Sequence, residues 1–187
     1  MIRIKFILFI IVTLIFIGCS TEEAIEIKNI KNFPAFVTQD LNGLEVTEKI
    51  FANKKITIVN IWTTNSPPSI LLLPKLSALS SKFDNLQIIG LVGDVRNYGQ
   101  SKNLEMAKKI VAEHSDFVNL IVNDDFNDLL TMVTQVPITF FVDNQGQFIG
   151  QPVTGDDITL IYNELIRLLD DFSQNDLKFI QNHIFYR

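Results

Sequence analysis

The spacing of apolar residues changes along this chain, and each change marks an element. Residues 6–17 are apolar without a break apart from Thr13. Phe33 to Val46 alternates apolar and polar positions around Asn42-Gly43, which predicts a β-hairpin, because Asn-Gly suits a tight positive-φ turn. Ile56 to Trp62 and Leu86 to Val92 are short, continuous apolar runs, the pattern of strands buried on both faces. Between them, Leu72, Leu76, Leu79 and Phe83 recur at helical spacing after Ser66-Pro67-Pro68. A second helix is predicted from about Ser101 to Ser115, a strand over Phe117 to Val122 and a short helix over Asp125 to Val133. Val136-Pro137 leads into a strand, Ile138 to Asp143. The turn Asn144-Gln145-Gly146 and a further strand, Gln147 to Gly150, follow it. Asp156 is placed to cap a last helix with Ile158, Ile161, Leu165 and Leu168 on one face.

Strands that alternate with helices imply an α/β sandwich with a mixed sheet, since the last two strands share a tight turn and must be antiparallel. Beyond residue 171, Leu177, Ile180 and Ile184 keep helical spacing with Asn175 as a possible cap. This tail either packs back on the domain or offers a helix to a partner. The chain divides into 1–18, a short acidic tether 19–28, a domain 29–171 and the tail 172–187.

The first segment reads as an address rather than fold. Arg3 and Lys5 precede the apolar run, and Gly18-Cys19-Ser20 follow it, as in a secretory signal with a small residue before the cleavage point. The run is shorter than the roughly 20 residues a membrane span needs. Phe16-Ile17-Gly18-Cys19 resembles the lipobox of bacterial lipoproteins, with Phe at the usual Leu position. That resemblance implies lipidation of Cys19. An uncleaved N-terminal anchor is the alternative, and both readings tether the domain to a membrane outside the cytoplasm.

The net charge is −5, and loss of residues 1–18 deepens it to about −7 by removing Arg3 and Lys5. An acidic chain without a basic stripe lacks the clustered cations that bind phosphates, which argues against nucleic-acid partners. No phosphate-binding loop or metal-ligand cluster appears, and no cofactor is implied. The single Cys is Cys19, so the folded part has no thiol and cannot form a disulfide of its own.

The most informative segment is Asn60-Ile61-Trp62-Thr63-Thr64-Asn65-Ser66-Pro67-Pro68-Ser69, with Pro74 beyond it. It resembles the active-site segment of TlpA/ResA-like membrane-anchored thiol–disulfide oxidoreductases of the thioredoxin superfamily. Their pattern is a buried strand, Asn-Phe-Trp, then Cys-x-Pro-Cys opening a helix. Trp62, Pro68 and Pro74 match, while Ser66 and Ser69 stand where that family has its cysteines. Val136-Pro137-Ile138-Thr139-Phe140-Phe141-Val142-Asp143 resembles the family's Val-Pro-Thr-Thr-Phe-Leu-Ile-Asp, whose Pro is cis. Phe33-Pro34-Ala35-Phe36 with Asp40 and Gly43 is similar to its N-terminal hairpin. The resemblance covers about residues 29–171. It implies a thioredoxin-like three-layer sandwich: a mixed central sheet, flanking helices and an N-terminal hairpin.

The same resemblance implies lost redox chemistry. Exchange needs a thiolate and a second thiol, and serine forms no disulfide. A helix N-terminus contributes about 2 kcal/mol at most, worth about 1.5 pKa units, and an alcohol starts near the roughly 15.7 of water. Serine would need a general base, and neither His114 nor His183 is placed near Ser66 by the predicted order. Ser66 before Pro67 reads instead as an N-cap, and Pro74 as a kink.

What survives is a surface. The residues singled out for it are Trp62, Pro67, Pro68, Ile70, Val136 and Pro137, where the family pairs its backbone with an extended peptide. Four apolar residues in succession, Ile70 to Leu73, exceed what one helix face buries, so Ile70, Leu71 and Leu73 form a candidate exposed patch, or else widen the core. Trp62 reads first as a packing residue. The expected function is an extracytoplasmic lipoprotein that binds a peptide or protein without catalysis. The competing reading is an active oxidoreductase whose two cysteines were replaced by serine.

Overall fold

The computed structural model describes residues 31–96 and 101–184, with side chains described as far as residue 173. The signal, the tether and Cys19 lie outside the described residues, as does the side chain of His183. Three-residue strands β1 (Val37–Gln39) and β2 (Glu45–Thr47) form the N-terminal hairpin. A 3-10 segment, Glu48–Asn53, leads to β3 (Ile56–Trp62). Then come α1 (Pro67–Ser80), β4 (Leu86–Val92), α2 (Lys102–His114) and β5 (Val118–Ile121). A 3-10 turn, Asp124–Phe126, opens α3 (Asn127–Thr131) in place of a single helix from Asp125. The chain ends with β6 (Ile138–Asp143), β7 (Phe148–Thr154) and α4 (Ile158–Ile184).

The sheet order is β5-β4-β3-β6-β7. The pairs β3–β4 and β4–β5 are parallel, while β3–β6 and β6–β7 are antiparallel. The hairpin closes the β5 edge: Asp40 bridges to Leu120, and the Leu41 N–H donates to the Asn119 carbonyl at 3.0 Å. An open edge there would present unpaired backbone to other chains.

The sheet is covered on both faces. One face packs the rings of Phe33, Phe36, Phe51 and Phe126 against Val59, Ile61, Leu91 and Phe140. On the other face α1 lies in the middle: Leu72, Leu76 and Leu79 meet Ile161, Leu165 and Leu168 of α4, and Leu73 meets Leu104, Ala107 and Ile110 of α2. This central position corrects the expected exposed patch. A helix flanked on both sides buries two stripes, so Leu73 is fully buried and Ile70 packs on the α2 side. Only Leu71 of the three stays out, at 61% exposure.

Two boundaries also differ. The α4 cap is Asp157, whose carboxylate accepts the Thr159 N–H at 2.8 Å, while the Asp156 carbonyl accepts Lys75 Nζ at 3.2 Å. In the tail, α4 runs on to Ile184, so Asn175 lies inside a helix and caps none.

Candidate functional site

β3 delivers Trp62 to one end of the sheet, and the loop 63–66 turns the chain into α1. The turn is held from outside. Asp94, just past β4, accepts the Thr64 N–H at 3.1 Å and the Thr64 hydroxyl at 2.6 Å, and Asn103 Nδ2 donates to the Asp94 carbonyl at 3.0 Å. Ser66 is the N-cap of α1, its hydroxyl accepting the Ser69 N–H at 3.4 Å. Pro67 and Pro68 occupy the first two helical positions, so two of the N–H groups that normally end a helix do not exist. The Ile70 N–H goes to the Ser66 carbonyl at 3.1 Å. This helix start has little left with which to hold an anion.

Pro137 follows a cis Val136–Pro137 bond, as the resemblance implied. Its place beside the β3 end follows from register: Ile61 pairs with Ile138, so Pro137 lies one residue beyond that pair, at the sheet end where the Ser66 turn begins. The Gly155 N–H donates to the Pro137 carbonyl at 2.8 Å. Neither the N–H nor the C=O of Val136 has a partner among the described residues. Of the surface set, Pro67 and Pro68 are exposed, Ile70 and Val136 half-buried, and Pro137 buried.

Trp62 does not belong to this surface. It is fully buried, and its indole Nε1 donates to Asn119 Oδ1 at 2.9 Å. Its ring spans the sheet over Gly90, where a Cβ would lie 1.9 Å from Asn119 Oδ1. His114 is far away too: α2 begins beside Asp94 and ends at the other end of the sheet, where His114 Nε2 lies 3.8 Å from Glu113. Among the described residues no group of three His, Cys, Asp or Glu is arranged to hold a metal ion.

Beneath the turn lies a row of buried polar residues in one register: Asn119, Gly90, Asn60 and Thr139 on β5, β4, β3 and β6. Asn60 Nδ2 donates to Thr139 Oγ1 at 3.1 Å, but Asn60 Oδ1 has no partner. Ser69 Oγ, fully buried in the first turn of α1, has none either. Among the described residues these are the two buried side-chain polar atoms left unpaired, and both face the same layer of the protein. Asn119 and Asp94 were not singled out from the sequence, and Asn60 entered only as the first residue of the motif segment. The available signal was a lone Asn in the apolar run Ile56 to Trp62.

No protein-family model matches this sequence, and no curated protein matches it. Solved structures do. The thioredoxin domain of a thiol-disulfide oxidoreductase from Bacteroides vulgatus aligns with 73% of this chain and 98% of its own, at TM-score 0.57 and 21% identity. The fold is thioredoxin-like. A thiol:disulfide interchange protein from a Bacteroides species aligns with 73% of this chain and 89% of its own, at TM-score 0.54 and 21% identity. A thioredoxin-like protein from Aeropyrum pernix aligns over 64% and 81%, at TM-score 0.51 and 15% identity. In this thioredoxin-like domain, Ser66 and Ser69 hold the first turn of the helix that follows the central strand.

Proposed function

We propose that this chain is a lipoprotein of the bacterial cell envelope, anchored through Cys19 and facing away from the cytoplasm. It binds an extended segment of a protein or peptide at the Ser66–Pro137 end of the sheet and carries out no thiol–disulfide exchange. The binding part is carried by Val136, whose bare N–H and C=O stand at the sheet end where α1 begins with exposed Pro67 and Pro68, exposed Leu71 lying one turn further along that helix. Unpaired main chain next to apolar side chains is what an added strand requires. Redox inactivity is supported by the lack of any cysteine besides Cys19 and by the helix start that Pro67 and Pro68 have stripped of donors.

Two experiments test it. In reduction of insulin by dithiothreitol, the unaltered protein gives no acceleration, and acceleration by it overturns the reading. A photoreactive side chain at Pro68 captures a discrete partner in intact membranes, and Leu71→Lys weakens that capture. Capture equal to that from a probe at Gln145, at the opposite sheet end, overturns the binding site.

A second reading rests on Ser69. A buried hydroxyl without a partner is costly, whereas a thiol, a weak donor and acceptor, tolerates such a pocket. This favours an origin in which sulfur occupied the position, including an active oxidoreductase with its cysteines replaced. Cysteine codons at 66 and 69 in the natural gene decide for it. Insulin reduction by the Ser66→Cys/Ser69→Cys variant shows whether the rest of the site is intact.

A further inference from the structure

The chain enters the domain at the end of the sheet opposite the site. The Phe148 N–H donates to the Lys31 carbonyl at 3.0 Å, the Phe33 N–H donates to the Gly146 carbonyl at 2.7 Å, and Asn32 bridges to Gln147. Those residues lie at the β6–β7 turn. Register puts that turn beside the start of β3, because Asp143 pairs with Ile56, while Ile138 pairs with Ile61 at the site end. The seven residues of β3 separate the two ends by about 20 Å before the loops are added.

We infer that the domain stands on its membrane with the Ser66–Pro137 end pointing away from the bilayer. That end then faces the aqueous space of the envelope rather than bilayer lipid. The inference rests on the anchor at Cys19 proposed above, but not on partner binding. Eleven residues lie between Cys19 and Lys31, and they reach about 40 Å at full extension. To turn the site toward the lipid, that stretch has to climb the length of the domain and use most of its reach. Poses with the entry end down are open to every shorter arrangement, so they dominate by number of states.

The single tryptophan supplies the probe, since Trp62 ends β3 at the site. The full chain, purified from membranes, is reconstituted into vesicles containing a dansyl-labelled lipid, and energy transfer from tryptophan is recorded. The comparison is Trp62→Phe/Gln145→Trp, which moves the donor to the exposed turn beside the entry point. Transfer from position 145 is expected to exceed transfer from Trp62 several-fold. Equal or reversed transfer from a vesicle-bound chain overturns the orientation and leaves the anchor standing. A chain that does not float with the vesicles overturns the anchor, and the orientation with it. Should Trp62→Phe unfold the domain, Gln145→Trp alone gives the same comparison by difference from the unaltered chain.

Discussion

The two faces of the central sheet bury their side chains by different rules. On the aromatic face, rings pack edge to face, as with Phe33 against Phe51 at 5.1 Å between centroids and 68° between planes. That face also buries Thr57 but pairs it, Gln87 Nε2 donating to Thr57 Oγ1 at 2.7 Å. The face beneath α1 is equally dry but mixes Leu and Ile with Asn60, Ser69, Asn119 and Thr139, and two of these polar atoms have no partner. A buried polar atom without a bond costs about 1–3 kcal/mol. The penalty is concentrated beneath the Ser66 turn. Stability alone does not account for this polar layer. On the function proposed above, a site that keeps its architecture without its reactive atoms would leave this pattern.

The contrast is broken most severely on the aromatic face. Phe126 is fully buried and touches both Phe33 and Phe36, at 6.3 and 5.1 Å between centroids. Phe126→Ala is expected to lower unfolding free energy by about 3–5 kcal/mol in urea titration, because a ring-sized cavity cannot collapse among other rings. A loss below about 1 kcal/mol would mean that this face repacks freely and owes little to shape.

Next comes Gly90→Ala on the polar face. The added Cβ meets Asn119 Oδ1 and displaces the acceptor of the Trp62 indole. Overpacking of about 1–3 kcal/mol and an orphaned N–H of similar size put the loss near 3 kcal/mol. Adding Asn119→Ala should return part of the clash energy but not the indole bond, so the pair is non-additive in a double-mutant cycle. Strict additivity would show that the row does not act as a unit.

Ser69→Ala carries the opposite sign. Removing a fully buried hydroxyl with no partner is expected to raise stability by about 1 kcal/mol, whereas deleting a paired hydroxyl would lower it. A net loss in thermal melts would show that Ser69 is paired in solution, and would weaken the case for a former sulfur site.

Much of this was legible beforehand, for physical reasons. Continuous apolar runs forecast β3 and β4, and Ser66-Pro67 forecast the start of α1, because both signals are local. The burial of Leu73 was not legible: it depends on α1 lying between α2 and α4, a tertiary fact that helical periodicity cannot contain. Trp62 packs, as one of its two readings had it, but its partners, the Gly90 gap and Asn119, 57 residues away, were not legible for the same reason. The cap slipped from Asp156 to Asp157 because adjacent aspartates carry the same local signal. The unpaired state of Ser69 depends on what surrounds it, which no motif encodes.

The smallest effect lies outside both faces and tests whether charge contributes to either. Among the described residues neither face buries an ion pair. The short ionic contacts gather where α4 meets the sheet edge, with Glu164 2.7 Å from Arg167 Nη2 and accepting the Gln151 N–H at 2.7 Å. The Arg167 hydrogen bond holds the Glu164 carboxyl below its ordinary value of 4.5; burial opposes this and the Gln151 N–H adds to it. A carboxyl lowered on folding stabilises the fold above its unfolded pKa, and that contribution is lost as pH falls through the lowered value. Stability should therefore be level from pH 7 to 5 and begin to fall below about 4.5. With Arg167 half exposed, Glu164's share is about 0.5 kcal/mol, and Glu164→Gln should remove that share of the slope. The measurement is urea unfolding at pH 7 and pH 3 for both chains. An unchanged slope in Glu164→Gln would place the acid-sensitive group elsewhere.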